Sequence, residues 1–282
     1  TKLVIMKKWD PPEAVRLMES EKVSRFGGVP TMAAEIIEEA KKVGAKLDSI
    51  RLIDTGGANR PADQAKEMAD FIPHVLTGTS YGMTETNALG IAIRGKEYLE
   101  NPKVTGRLIA PLAEMRIVDE FDVDVAVGEV GELVLKSAAN MRCYLNKDIE
   151  TSEVLKNGWL YTGDLAKIDE NELITLVDRK KNIIIRGGEN ISAQEVQTAI
   201  LEHPNVVEAA IFSVPNERLG EIVGACVYCR KTSHENESSL QDFLKSSLAA
   251  YKIPDHIWIK NKPLPRVASE KIDVEALKKE YS

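Results

Sequence analysis

Apolar positions recur along this chain with several different spacings, and each change of spacing marks a change of organisation. Residues 3–6 form a short apolar run with no turn before it, which predicts a buried strand and a chain that opens in the middle of a domain. Asp10 stands ahead of Pro11, Pro12 and Glu13, the pattern of a capped helix start, so a helix is expected to about Ser20. Residues 23–26 and 50–53 are apolar runs bounded by turn residues. Between them, Met32, Ile36, Ile37 and Ala40 keep helical spacing over residues 30–43. Strand, helix, strand, helix in that order implies a parallel α/β sheet. From residue 106 the pattern shortens to strands separated by Gly, Asp and Asn turns, including 115–119 and the alternating 129–135, which predicts a β-rich subdomain over about 106–177.

After Asp178 the pattern becomes α+β. Strands are expected over 183–185, 206–214, 221–228 and 257–259, and helices over 193–201, over 240–248 and from Asp273 onward. The fold class that follows is α/β: a parallel-sheet remainder of a large domain with its β-rich subdomain (1–178), then a small α+β domain (179–282) behind a hinge at 179–181. A length of 282 residues fits two such units. No apolar run approaches the roughly 20 residues that span a bilayer, and the first residues lack the form of a signal peptide, so a cytoplasmic protein is expected.

Charge and cysteine content remove some classes of function. The net charge of −7 argues against a broad nucleic-acid surface. Residues 1–179 carry 23 basic against 30 acidic side chains and residues 180–282 carry 14 of each, so the acidity lies in the first part. Cys143, Cys226 and Cys229 are too few for a disulfide framework, which suits a reducing compartment. Cys226 and Cys229 have metal-like spacing, but strand alternation directs them to opposite faces and no second pair exists, so buried structural thiols are expected.

Five segments are not explained by periodicity. Asp54-Thr55-Gly56-Gly57-Ala58 leaves one strand at its carboxyl end, where open α/β sheets bind ligands, and Tyr81-Gly82-Met83-Thr84-Glu85-Thr86 follows another. The latter gathers an aromatic ring that can cover a base with a hydroxyl and a carboxylate that can hold Mg²⁺ and phosphate oxygens. In Tyr161-Thr162-Gly163-Asp164 the carboxylate can accept both hydroxyls of a ribose. Asp178-Arg179-Lys180-Lys181 sits at the boundary between the two patterns, and Lys271 closes an irregular stretch from Leu264, as a cation that can be delivered to a phosphate as charge builds. Taken singly, each of these also reads as an ordinary polar turn or a solvated charge.

In their order and spacing, together with Gly131-Glu132-Leu133, Gly158-Trp159-Leu160 and Gly187-Gly188-Glu189-Asn190-Ile191, these segments resemble the adenylate-forming superfamily of acyl-CoA synthetases, luciferases and peptide-synthetase adenylation domains. The resemblance runs the length of the chain. It implies that Gly56, Gly57, Ala58 and Tyr81 hold adenine, Thr84 the phosphate and Glu85 the Mg²⁺. It also implies that Asp164 and Arg179 hold the ribose, that Lys181 is the pivot between domains, and that Lys271 acts in adenylate formation, with Gly187 and Gly188 beside the pantetheine of coenzyme A. The implied substrates are ATP, a fatty or aryl carboxylic acid and coenzyme A. A domain loading a carrier protein is the alternative acceptor reading, and a non-catalytic nucleotide-binding relative the reading from another class. Two departures bear on this. Residues 1–55 contain no Ser/Thr/Gly-rich phosphate loop with a lysine, so the chain is expected to be a fragment that is inactive alone. Glu270 stands where the family has glycine, which places a side chain and a negative charge beside Lys271.

Overall fold

A computed structural model describes residues 2–57, 62–230, 235–267 and 271–281. By internal contact the chain divides into two compact units, Thr1–Thr162 with Ala166–Leu176, and Gly163–Leu165 with Val177–Ser282.

The first unit opens with α1 (Pro11–Ser20), whose N-cap Asp10 accepts a hydrogen bond from the Glu13 amide. Then follow β1 (Arg25–Gly28), α2 (Pro30–Val43), β2 (Leu52–Gly56), α3 (Ala62–Phe71) and β3 (Leu76–Tyr81). Helix α2 has the predicted bounds because Pro30 opens it and Gly44, at φ 70°, closes it in the left-handed conformation. Strands β1, β2 and β3 pair in parallel, and β4 (Ile91–Arg94), α4 (Gly95–Glu100) and β5 (Arg107–Leu108) continue the unit. Both added strands pair antiparallel, so the sheet runs β1–β2–β3–β4–β5 with a parallel half and an antiparallel half. Its main core is Ile36, Ile37, Ile50, Ile53, Met68 and Ile72 packed on Ala14, Val15 and Met18 of α1.

The predicted strand at residues 3–6 does not form. Val4 and Met6 are half-buried, whereas Leu3 and Ile5 are 79% and 78% exposed; the alternation is present, but among the described residues no strand pairs with it.

The β-rich region contains β6 (Ala113–Val118), β7 (Gly131–Ser137), α5 (Asp148–Val154), β8 (Leu155–Lys156), β9 (Trp159–Ile168) and β10 (Ile174–Arg179). These strands form a sheet of order β10–β9–β7–β6 with β8 beside β9.

The second unit continues through β11 (Ile183–Arg186), β12 (Glu189–Ser192), α6 (Ala193–Leu201), β13 (Val206–Asn216), β14 (Gly220–Cys229), α7 (Glu237–Leu244), β15 (His256–Lys260) and α8 (Val274–Tyr281). Helix α7 lies earlier than the expected 240–248, because Asn236 caps it and its turns loosen after Leu244. One face of this sheet packs Val223, Ala225, Val227 and Cys229 against α6 and α7; the other packs Phe212, Cys226 and Trp258 against Leu277 of α8. Cys226 and Cys229 are therefore buried thiols on opposite faces, as the alternation implies. Among the described residues no helix is long and apolar enough to cross a membrane.

Candidate functional site

Strands β2 and β3 are parallel neighbours, with Gly56 aligned to Ser80, so the loops that leave their carboxyl ends start side by side. A side chain at Gly56 would place its Cβ 2.6 Å from the Ser80 carbonyl oxygen, which is why this strand end accepts only glycine. Gly57 follows at φ 77°, a conformation that glycine adopts without strain. Ala58, the third residue expected at the adenine, lies outside the described residues.

Beyond Tyr81 the chain closes a tight loop over residues 82–88. A Cβ on Gly82 would approach the Ala88 backbone to 2.5 Å, and Asn87 and Ala88 adopt φ 52° and 60°. Buried Thr86 fastens it from inside, its hydroxyl donating to the Met83 carbonyl at 3.1 Å while accepting from the Met83 amide at 3.2 Å. Thr84 is left exposed and Glu85 half-buried on the outer turn.

Glu85 is held from a distant part of the chain. The Tyr144 hydroxyl donates to its Oε1 at 2.8 Å, and the Met141 amide donates to its backbone carbonyl at 2.6 Å. Burial, and next the hydrogen bond to Glu85, push the Tyr144 phenol up to about 12. The second carboxylate oxygen, Oε2, has no protein donor among the described residues. Those residues contain no cluster of three or more His, Cys, Asp or Glu suited to a metal. One carboxylate oxygen beside an exposed hydroxyl suits Mg²⁺, which keeps its waters and is bound through one or two carboxylates and substrate phosphates rather than in a protein cage.

Asp164 and Arg179 of the second unit come together as an ion pair, with Arg179 Nε 2.9 Å from Asp164 Oδ1. Gly163, at φ 71°, kinks β9 immediately before the aspartate. Asp164 is 6% exposed, while the Arg179 side chain is about half exposed at 51%. The pair thus joins a fixed acceptor to a reachable donor, which is the chemistry a ribose diol needs. The neighbouring Asp178 is buried and accepts four hydrogen bonds. Lys181 lies in the short 3-10 turn Lys180–Asn182 and is exposed.

Gly187 and Gly188 form the two-residue turn between β11 and β12, at φ 59° and 94°; only residues tolerant of positive φ fit both positions. Lys271 is exposed and ends an antiparallel bend: its carbonyl accepts from the Val267 amide at 2.9 Å, and Arg266 pairs with Ile272. Glu270, like Ala58, lies outside the described residues.

The structure therefore gathers Gly56, Gly57, Tyr81, Thr84 and Glu85 at one end of a sheet, and joins Asp164 to Arg179. Three supporting residues escaped the sequence reading. Tyr144 and Glu208 reach across 59 and 56 residues of chain to their partners, with no local motif to signal it. Asp178 was visible only as part of a charged run.

The sequence matches the AMP-binding enzyme family over residues 1–145 and the AMP-binding enzyme C-terminal domain over residues 195–271. A feruloyl-CoA synthase from an Amycolatopsis species is 32% identical over 270 residues, covering 96% of this chain and 54% of that protein. A long-chain-fatty-acid–CoA ligase of Bacillus subtilis is 32% identical over 273 residues, covering 96% and 48% respectively. Among solved structures, the o-succinylbenzoate CoA synthetase of Bacillus subtilis in complex with its acyl-adenylate intermediate superposes with a TM-score of 0.86 at 28% identity, over 97% of this chain and 54% of that one. The chain spans about half the length of the curated relatives it matches.

Proposed function

The chain belongs to the AMP-binding enzyme family, and from that premise we propose that it carries part of the machinery of an ATP-dependent acyl-CoA synthetase acting in the cytoplasm. In the first step a fatty or aryl carboxylate attacks the α-phosphate of ATP; the bond to the β-phosphate breaks, and pyrophosphate leaves. In the second the coenzyme A thiol attacks the acyl carbonyl and AMP leaves. The observation that carries this reading is the pairing of Thr84 and Glu85 on one rigid turn at the carboxyl end of parallel strands, where α/β sheets bind nucleotides.

Each residue then has a task set by its chemistry. Gly56, Gly57 and Ala58 offer backbone without side-chain bulk, and with the Tyr81 ring they form the adenine site. The Thr84 hydroxyl donates to a phosphate oxygen, and Glu85 Oε2 is the ligand for Mg²⁺. When bound, that ion offsets the repulsion between two anionic reactants. Asp164 accepts from the ribose hydroxyls and Arg179 donates to them. Lys271 supplies positive charge to the transition state of adenylate formation. Lys181, exposed in its short turn, is the pivot about which residues 179–282 exchange that lysine for the pantetheine site at Gly187 and Gly188. Because no phosphate loop precedes Gly56 in residues 1–55, we also propose that the 282 residues alone do not complete adenylation.

ATP–pyrophosphate exchange by the protein its gene encodes, run against a panel of fatty and aryl acids, tests this reading. Exchange with one acid class, lost in Lys271→Ala, is the expected result; no exchange with any acid refutes it. Full acyl-CoA formation by the 282-residue chain would overturn the fragment proposal alone.

A further inference from the structure

Tyr144 belongs to none of the segments that suggested a function, yet its hydroxyl is the one side-chain donor to Glu85 among the described residues. The segment that presents it is itself fastened. The Tyr144 amide donates to Thr151 Oγ1 at 3.0 Å, the Thr151 hydroxyl donates to the Lys147 carbonyl at 2.7 Å, and Asn140 Nδ2 donates to the Leu135 carbonyl at 3.0 Å. The phenol is thus supplied from a frame anchored at both ends, one in β7 and the other in α5. A second contact, from the Met141 amide to the Glu85 carbonyl, fixes the backbone beneath the carboxylate.

A glutamate side chain left to rotate must be ordered whenever it takes up a ligand, and that ordering subtracts from affinity. A donor on one carboxylate oxygen removes most of this freedom and leaves the other oxygen facing outward. Groups that hydrogen-bond a metal-binding carboxylate act in this way, and their loss typically costs about 10–100-fold in metal affinity or activity.

We propose that Tyr144 is a positioning residue for the nucleotide-bound cation: its hydroxyl holds Oε1 of Glu85 so that Oε2 is presented in a fixed place. The proposal rests on the reading that Glu85 meets the cation of the metal–nucleotide complex. It assigns Tyr144 no contact with substrate.

Tyr144→Phe removes the oxygen and retains the ring, so the packing and the fold persist. In the protein encoded by the gene, binding of Mn²⁺ with α,β-methylene-ATP, followed by electron paramagnetic resonance, is expected to weaken about tenfold. Binding of metal-free AMP, followed by calorimetry, should stay within about twofold, since AMP without metal does not use Glu85. In exchange assays the Mg²⁺ concentration for half-maximal rate should rise by the same factor of about ten, with the rate at saturating Mg²⁺ retained.

Two further variants separate positioning from mere support. Thr151→Val loosens the frame that presents the phenol, and it should lower thermal stability and reproduce part of the loss in metal-nucleotide affinity, with AMP affinity unchanged. In a Glu85→Ala background, adding Tyr144→Phe should cause no further loss of Mn²⁺ complex. Equal affinity of wild type and Tyr144→Phe for the Mn²⁺ complex, or an additive loss in the double variant, would each overturn the proposal. A wild-type protein that binds neither AMP nor the Mn²⁺ complex would instead overturn the functional reading, and the proposal with it.

Discussion

Asp178 gives the sharpest stability prediction because it is 4% exposed and accepts four hydrogen bonds. Oδ1 takes the Arg179 amide at 2.6 Å and Asn182 Nδ2 at 3.2 Å; Oδ2 takes the Ser192 hydroxyl at 2.7 Å and the Gln194 amide at 2.8 Å. The Gln194 amide is one of the donors that the first turn of α6 leaves unpaired, and Ser192 caps the next at Glu195. In Asp178→Ala, Asn182 can turn to water and the Ser192 hydroxyl keeps the Val177 carbonyl at 3.3 Å, but the Arg179 and Gln194 amides lose their acceptor. Each such loss costs about 1–3 kcal/mol, and the lower half of that range is appropriate for neighbours that relax together, so the two amides sum to about 3 kcal/mol. At about 4 °C per kcal/mol for a unit of this size, its melting transition should fall by about 12 °C. Differential scanning calorimetry gives the shift, and hydrogen exchange followed by mass spectrometry should show protection lost first in β11, β12 and α6. Asp178→Asn keeps the shape but turns an amide NH₂ toward two donors, so an intermediate loss is expected. A calorimetric loss under about 1 kcal/mol for Asp178→Ala would refute the reasoning, because it would mean that water reaches these donors.

Three other outcomes follow from single contacts. Glu208 accepts from the Leu264 amide at 2.7 Å and from the Arg266 guanidinium, tying the base of the Lys271 bend to β13; Glu208→Gln should slow adenylate formation about tenfold while leaving thioester formation from a supplied acyl-adenylate unchanged, a split that quenched-flow assay of each half-reaction can measure. Gly188 holds φ 94°, outside the range that side chains tolerate, so Gly188→Ala should cost about 1–2 kcal/mol in urea unfolding of the second unit, and a neutral result would show that the turn can relax. The raised Tyr144 phenol implies that the folded state keeps its proton longer than the unfolded state; stability from this group is fully present below the ordinary phenol range and is lost as pH rises from there through about 12, so the alkaline loss of stability should be smaller in Tyr144→Phe by urea titration at each pH.

Legibility in the sequence followed the range of the interactions that fix each element. Helices α1 and α2 were readable because their ends are decided within four residues, by Asp10 and Pro11 at one start and by Gly44 at one stop. Residues 3–6 misled because a strand needs a neighbour that the pattern itself does not contain, and only Val4 and Met6 find cover. Helix α7 was displaced because its start depends on the Asn236 side chain, while buried Leu248 keeps helical spacing after the helix has ended. At the site, Gly56, Glu85 and Asp164 were legible as members of recurring motifs. Their surroundings were not: the ion pair of Asp164 with Arg179, and the hydrogen bond of Tyr144 to Glu85, arise from strands and loops that only the fold brings together.

Burial separates the two supports that the sequence did not reveal. Asp178 is itself buried and satisfies the buried Ser192 hydroxyl and two half-buried amides, so its removal must appear as lost stability of the unit that contains it, whatever the protein does. Tyr144 and Glu85 are both only half-buried, so water can replace the lost hydroxyl at Oε1 and the fold loses little. What water cannot replace is direction, because a solvated carboxylate samples several orientations where the phenol allowed one. The same kind of contact, a donor on a carboxylate oxygen, is therefore expected to yield opposite signatures at the two places: a large melting shift with nucleotide contacts intact on their own terms at Asp178, and a metal-specific loss of affinity with nearly unchanged melting at Tyr144. If Tyr144→Phe instead melted as far below wild type as Asp178→Ala, the hydroxyl would be holding the loop rather than aiming the carboxylate.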